Sequence, residues 1–425
     1  MAFPRAARRA SGLAWTAVDE ALLSVLSLAL ALILLRGASK AEYGVFALVS
    51  GIVLLLRCAQ SALVLTPLAT LGARLRGSEQ ASFIRALSRL QAAFGASLAL
   101  TVTAAVWLFV GRDAWLLAAG SGLALAGNWQ REYRRGLALL DGRGGAALAG
   151  DTLFVVLAAG GALALWSVDG ATSAGEVLAA NGVAAGAAAV LGFPRRSLGG
   201  APAAEHRRVA RFALDQGRWT LPGAAVAWGQ TTGFAYPVGI ALGSAAVGEI
   251  LAARLIVVPL LLVAVAWSRM FLPRAAALVG DGDADGAGLR ARCGRALRIA
   301  LAGSGVYLLL VAGAFALGLG RVLPADYAGC ELEVLAWSGF AVASMCRTIA
   351  STALLARLQF RPLFALSAAG ATASLLLVVA LLGPLGALGA IIGLTSGEFL
   401  LAALCWRAVL VRRRLPEMAA RDARL

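Results

Sequence analysis

Long apolar runs alternate with short polar gaps along almost the whole of this chain. A run of about 20 apolar residues crosses a hydrocarbon core of about 30 Å as an α-helix, because the helix rises about 1.5 Å per residue. The runs predict the spans 13–35, 43–67, 91–110, 113–130, 145–166, 174–193, 214–241, 246–271, 297–319, 331–355, 361–382 and 385–409. The sequence therefore predicts an all-α polytopic membrane protein with about twelve transmembrane helices.

The basic residues orient these spans. Most of the 38 lysines and arginines lie in the two tails and in every second loop, whereas the opposite loops hold only Arg36, Lys40, Arg112 and Arg321. Because cytoplasmic loops retain positive charge during insertion, we expect both termini on the cytoplasmic side of a bacterial inner membrane.

The composition excludes several classes of function. Hydrophobic residues make up 60% of the chain, and the formal net charge of +16 is divided among separate short segments. No continuous basic surface is expected, so nucleic acid is not a predicted partner. The outward loops are too short for a catalytic domain, and the only histidine, His206, lies among loop arginines. We predict no enzyme activity, no cofactor and no metal; the loop from Asp281 to Gly286 opens like a calcium-binding loop, but Arg292 stands where the essential glutamate belongs.

The two halves of the chain show signs of a repeat. Gly44 opens the second span and Pro67 closes it, and Gly248 and Pro273 occupy similar places in the eighth span. The offset equals six spans, an even number, so the two halves have the same orientation and a pseudo-two-fold axis along the membrane normal is expected. The pattern predicts two six-helix bundles, 1–212 and 213–425.

Several ionisable residues fall inside the spans. An arginine at the centre of a span costs roughly 2.5–3.5 kcal/mol to insert, so it needs an acidic partner, water or an anionic ligand. The arginines are Arg57, Arg218, Arg254 and Arg347, and the acids are Asp19, Glu20, Asp151, Glu249 and Glu398. Two interpretations stay open: the charges pair with one another and fix the helix register, or surplus arginines line a water-filled cavity that takes an anionic substrate. Arg218 is near the cytoplasmic end of its span, and Asp215, three residues earlier, is a candidate local partner.

The seventh span has the composition of a bent or broken helix. Pro222 and paired glycines interrupt it, which is tolerated in a membrane where the backbone faces protein or water. Gln230, Thr231, Thr232 and Tyr236 add hydrogen-bonding groups near its middle, and these four are candidate cavity-lining residues. Packing around a helix kink is the alternative explanation.

Four short motifs lie before or at the start of the second, eighth, tenth and twelfth spans, at 41–47, 243–248, 325–329 and 383–387. In order and spacing they resemble, over essentially the whole chain, the polysaccharide (O-antigen) flippase branch of the multidrug/oligosaccharidyl-lipid/polysaccharide (MOP) exporter superfamily. The resemblance implies two six-helix bundles around a central cavity that opens alternately to each side, as in multidrug exporters of this superfamily. Twelve spans fit the O-antigen type better than the fourteen-span peptidoglycan-precursor type.

The resemblance also implies a function. The expected substrate is an undecaprenyl-pyrophosphate-linked oligosaccharide, moved from the cytoplasmic to the outer leaflet for O-antigen, capsule or exopolysaccharide synthesis, alongside polymerase and assembly proteins. We expect the four intramembrane arginines to bind the pyrophosphate, with Arg218 at the cytoplasmic mouth. The candidate groups for coupling to a proton or sodium ion are Asp19, Glu20, Glu249 and Glu398. A drug or metabolite exporter of the same superfamily and a non-transporting membrane component of glycan assembly remain alternatives.

Overall fold

The computed structural model describes residues 5–169, 173–193, 202–280, 287–317, 329–357 and 359–410, and these residues are almost entirely helical and contain no strand. The α-helices are α1 Arg5–Gly37, α2 Lys40–Gln60, α3 Thr66–Arg74, α4 Gly77–Val110, α5 Trp115–Leu140, α6 Gly144–Asp169, α7 Ala174–Leu191, α8 Ala203–Trp228, α9 Ala235–Leu242, α10 Ser244–Gly280, α11 Ala287–Ala316, α12 Glu331–Ala356 and α13 Phe360–Leu410. The all-α prediction is confirmed.

Eight helical stretches within the described residues are long and apolar enough to cross a membrane. Four local features explain the difference between these eight stretches and the twelve predicted spans. In α1 the apolar stretch found among the described residues is Ala21–Gly37, α5 carries several charged residues, and the seventh predicted span is divided between α8 and α9. The fourth feature is α13, whose 51 residues would extend about 76 Å as a straight helix, far more than one membrane crossing needs.

Helix α13 is a hairpin of two helices. Gly386 has the non-helical angles φ 59° and ψ −142°, a conformation that glycine adopts without steric cost. On either side of this turn, Gly389 lies against the carbonyl oxygen of Leu381 and Gly397 lies against Ser374. One residue number rises as the other falls, so the two halves run antiparallel. This arrangement confirms the separate spans predicted at 361–382 and 385–409.

Glycines bring α5 and α7 into close contact. Gly120 lies against the carbonyl oxygen of Gly175, and Gly127 lies against that of Gly182. A methyl group at any of these positions would overlap the facing backbone, and small residues are what allows helices to approach closely within a membrane. The numbers rise together, so α5 and α7 run parallel, as the fourth and sixth spans of an alternating chain must.

Two π-helical turns interrupt the helices, at Ser61–Leu65 and Gly229–Gly233. The first joins α2 to α3, and the helix continues through Pro67 to Arg74 instead of ending at the proline as predicted. This is possible because Pro67 stands in the first turn of α3, where the missing amide hydrogen costs little. The second turn is the break predicted in the seventh span. It lies at the glycine pair, while Pro222 is accommodated inside α8.

The chain divides into two compact units, Met1–Trp228 and Gly229–Leu425. The division falls at the second π-helical turn, later than the boundary between 212 and 213 expected from the repeat. The reason is that α8 packs on α2 and α4 of the first unit, where Trp228 Nε1 donates a hydrogen bond of 2.8 Å to the carbonyl oxygen of Gly51. The two six-helix repeats at 1–212 and 213–425 remain a prediction.

Candidate functional site: buried arginine clusters

In the first unit, Arg57 stands in the last turn of α2, immediately before the π-helical turn. Its Nη2 atom donates a hydrogen bond of 2.5 Å to Oε1 of Glu132 on α5. The Arg57 side chain is 35% exposed, whereas the Glu132 side chain is only 10% exposed. Arg57 is therefore a partly exposed side chain within an apolar span, and its guanidinium is paired with a buried carboxylate.

Glu132 belongs to a larger network on the same face of α5. Arg131 Nη2 donates to Glu132 Oε1 at 2.9 Å, and Arg135 Nη1 lies 3.6 Å from Oε2. Arg131 also contacts the carboxylate of Asp151 on α6. Arg135 donates to Oδ2 of Asp19 on α1 through Nε at 3.0 Å and Nη2 at 2.5 Å, and its Nε is 3.0 Å from Asp151 Oδ2. We call Arg57, Arg131, Arg135, Asp19, Glu132 and Asp151 the α5 network.

Sequence reasoning missed the centre of this network. The fourth span was predicted to end at residue 130, which placed Arg131 and Arg135 in a cytoplasmic loop as orientation signals. The helix instead continues to Leu140, and the Arg131 side chain is 2% exposed, with its guanidinium carbon 4.2 Å from the Phe154 ring centroid. A signal was present in the sequence: Tyr133 and Leu137, both buried, continue the apolar helical spacing beyond residue 130.

In the second unit, Arg254 on α10 lies against the π-helical turn. Its Nη1 atom donates a hydrogen bond of 3.1 Å to the carbonyl oxygen of Thr231. Its guanidinium carbon is 5.2 Å from the ring centroid of Trp337 on α12, within range for a cation–π interaction. The Trp337 Nε1 atom in turn donates to the carbonyl oxygen of Ile250 at 2.7 Å. Arg254 thus joins α10, α12 and the π-helical turn.

The predicted cavity-lining residues lie beside Arg254. Gln230 is buried and donates through Nε2 to the carbonyl oxygen of Ser367 at 3.3 Å, and the hydroxyl oxygens of Thr231 and Thr232 are 3.5 Å apart. Tyr236 is half-buried in α9. The structure therefore places Thr231 with Arg254, while Gln230 holds the π-helical turn against α13.

Arg347 lies at a different depth from Arg254. Its Nε contacts Glu398 Oε1, and its Nη2 is 3.4 Å from the hydroxyl of Ser344. Glu398 is buried in the second half of α13. Ten residues, or about 15 Å of helix, separate Arg347 from Trp337, so the second unit presents its two arginines at separate levels of α12.

The remaining candidates lie apart from these clusters. Arg218 has an exposed side chain on α8, as has Asp215, and Glu249 is half-buried near the start of α10. Burial raises the pKa of the Cys330 thiol before α12, and the carboxylates of Glu331, Glu333 and Glu249 raise it further. The side chain of Glu20 is outside the part of the structure that is described.

Comparison with known proteins shows which solved structures have a similar fold. No family model matches the sequence, and no curated protein sequence matches it. Several solved structures of membrane transporters resemble it. An inward-facing multidrug resistance MATE transporter of the MOP superfamily has 14% identity and a TM-score of 0.65 over 94% of this chain and 95% of that one. The lipid II flippase MurJ, in an inward closed conformation, has 12% identity and a TM-score of 0.68 over 93% and 87%.

A third similar structure is a MOP superfamily transporter from Pyrococcus furiosus, described as having a binding pocket of reverse polarity that suggests a different function. It is 14% identical, with a TM-score of 0.56 over 96% of this chain and 95% of that one. At these identities the likeness concerns the fold. The chain therefore has the fold seen in MOP superfamily transporters and is a multi-pass membrane protein, so the resemblance is confirmed for the fold.

Proposed function

We propose that this protein is a flippase that moves an undecaprenyl-pyrophosphate-linked oligosaccharide from the cytoplasmic to the outer leaflet of a bacterial inner membrane by alternating access. The product would enter O-antigen, capsule or exopolysaccharide synthesis. The resemblance of the sequence motifs to polysaccharide flippases supports this proposal, and the fold shared with MurJ, a lipid II flippase, is compatible with it.

The observation that carries the proposal is the partly exposed side chain of Arg57 inside an apolar span. Burying an arginine in a membrane costs several kcal/mol unless a partner or water compensates, and phosphate oxygens match the two-pronged guanidinium especially well. Arg254 and Arg347 would contact the headgroup in the second unit, and Arg218 would attract it at the cytoplasmic side. Asp19 and Glu398 are the coupling candidates that the structure places in contact with an arginine, Arg135 and Arg347 respectively.

The charge pattern favours an anionic substrate over a cationic drug. In the described part of the chain, the buried acids are Asp19, Glu132, Asp151 and Glu398, and an arginine contacts each of them. A cation would have to displace an arginine to reach any of these carboxylates. A phosphate would instead approach Arg57, whose side chain is partly exposed. An exporter of cationic drugs is the second candidate because a multidrug transporter shares the fold.

Deletion of the gene tests the proposal in cells. We expect lipid-linked repeat units to accumulate on the cytoplasmic leaflet, with surface polysaccharide restored by the wild-type gene. Leaflet distribution can be measured by periplasmic access of a glycan-modifying enzyme, with a strain lacking the polymerase as the matched control for blocked export. An unchanged distribution together with drug hypersensitivity would favour the drug exporter. An unchanged distribution with loss of glycan assembly would favour a non-transporting component.

A further inference from the structure

In this structure the guanidinium of Arg57 is paired with a carboxylate of the same protein, that of Glu132. We propose that Glu132 is a displaceable internal anion, which competes with the ligand for Arg57 and thereby sets how tightly an anionic headgroup is held and how readily it leaves. The inference rests on the proposed function, because it takes Arg57 as a ligand-binding group, and it adds a residue that determines affinity and release.

The geometry allows Glu132 to give up Arg57 without becoming isolated. Its Oε1 atom accepts hydrogen bonds from both Arg57 and Arg131, at 2.5 and 2.9 Å, and its Oε2 atom lies 3.6 Å from Arg135. If a ligand takes over Arg57, two guanidinium groups still face the carboxylate. A buried charge that keeps a partner avoids the large penalty of an unpaired one. The exchange therefore costs one contact and leaves the rest of the α5 network in place.

Accessibility singles out Arg57 as the exchanging arginine. Its side chain is 35% exposed, compared with 2% for Arg131 and 13% for Arg135. Arg131 and Arg135 are also held by Asp151 and Asp19. An anion that approaches the network thus meets Arg57 first, while the other two arginines remain to receive Glu132.

The charge balance explains why such a competitor is useful to a transporter. The α5 network consists of three arginines and three carboxylates, so it is neutral when no ligand is bound. The free energy that a ligand anion gains at Arg57 is therefore only the difference between its own interaction with Arg57 and the interaction of Glu132 that it replaces. Moderate affinity suits a protein that must release its substrate, because binding that is equally strong at every step does not increase turnover.

The substitution Glu132→Gln tests the inference because removal of this carboxylate should strengthen ligand binding, whereas removal of a ligand-binding side chain would weaken it. We expect the purified Glu132→Gln protein in nanodiscs to bind farnesyl pyrophosphate at least about tenfold more tightly than the wild type, equivalent to about 1.4 kcal/mol. In reconstituted transport, we expect this variant to have both a lower KM and a lower kcat. Inorganic pyrophosphate is the second probe. Tighter binding of both probes assigns the effect to phosphate chemistry, and tighter binding of the farnesyl probe alone assigns it to a lipid headgroup; either result supports the inference.

Three further variants separate this role from a merely structural one. Glu205→Gln removes an equal charge from the ion pair with Arg208, whose side chain is 62% exposed, in the same unit and should leave binding unchanged. In an Arg57→Gln background, Glu132→Gln should no longer tighten binding. Glu132→Asp keeps the charge beside Arg131 and Arg135 but withdraws it from Arg57, so it should tighten binding even if Glu132→Gln fails to fold.

The outcomes distinguish this inference from the proposed function. Unchanged or weaker binding in both folded Glu132 variants overturns the inference alone, provided that Arg57→Gln weakens binding of the probe. If the wild type binds neither probe, or if Arg57→Gln changes nothing, the assignment of Arg57 to an anionic headgroup fails, and the inference fails with it.

Discussion

Replacement of Asp151 by alanine is expected to destabilise the first unit by about 3–5 kcal/mol, the cost typical of leaving a buried charge without its partner. Asp151 is fully buried on α6 and contacts Arg131, whose side chain is 2% exposed. The same carboxylate lies 3.0 Å from Arg135, so its loss affects two buried arginines at once. The thermal unfolding midpoint of the purified protein in detergent, with the yield of monodisperse protein, measures the effect.

Two comparison variants sharpen this expectation. Asp113→Asn removes a carboxylate from an exposed turn and should leave the midpoint unchanged. The double variant Arg131→Met/Asp151→Leu replaces both partners by apolar side chains and should recover much of the lost stability, because no buried charge is then left unpaired. A midpoint that is the same in Asp151→Ala and in the wild type would show that the α5 network does not hold the helices together.

Arg254→Ala is expected to reduce transport by about 100-fold or more while the protein remains inserted and folded. The variant loses the hydrogen bond to the Thr231 carbonyl and the contact with Trp337, which together fix the guanidinium beside the π-helical turn. Displacing a substrate-positioning group by about 1 Å can cost about this factor. Export in a complemented deletion strain, normalised to the amount of protein in the membrane, gives the measurement.

The matched variants for Arg254 address geometry and charge separately. Arg254→Lys keeps the charge but lacks the flat, forked group that can face an aromatic ring and donate to a carbonyl together, so it should restore only part of the activity. Arg292→Ala, at an exposed arginine of α11 in the same unit, should transport normally. Full export by Arg254→Ala would assign Arg254 to helix packing.

The sequence predicts the helices well because a membrane demands apolar length, and apolar length is visible in the residues themselves. The hairpin in α13 follows from Gly383 and Pro384 between two apolar runs, and Gly386 provides the turn. The break at the second π-helical turn follows from the polar residues and glycines near Gln230. In each case, the signal is carried by neighbouring residues.

The α5 network could not be derived in the same way, because its partners are distant along the chain. Hydropathy treats Arg131 as the end of a span, whereas Asp151 on another helix offsets its charge. Glu132 and Arg57 are separated by 75 positions. The alternative that charges pair within the protein holds for Arg57 and for Arg347, which contacts Glu398. The number of arginines and acids in the spans does not distinguish ion pairing within the protein from binding of an anionic ligand. At Arg57, the structure shows an ion pair with Glu132 and also a partly exposed side chain.

The most direct measurement follows a fluorescent undecaprenyl-pyrophosphate-linked oligosaccharide across proteoliposomes that contain the purified protein. The leaflet occupied by the lipid is measured by quenching from outside. We expect the wild type to move the lipid between leaflets far faster than protein-free liposomes do, and Arg57→Gln, folded and reconstituted to the same density, to lose this movement. Movement no faster than in protein-free liposomes would show that the protein is not a flippase for this lipid, and full movement by Arg57→Gln would show that Arg57 does not bind the headgroup.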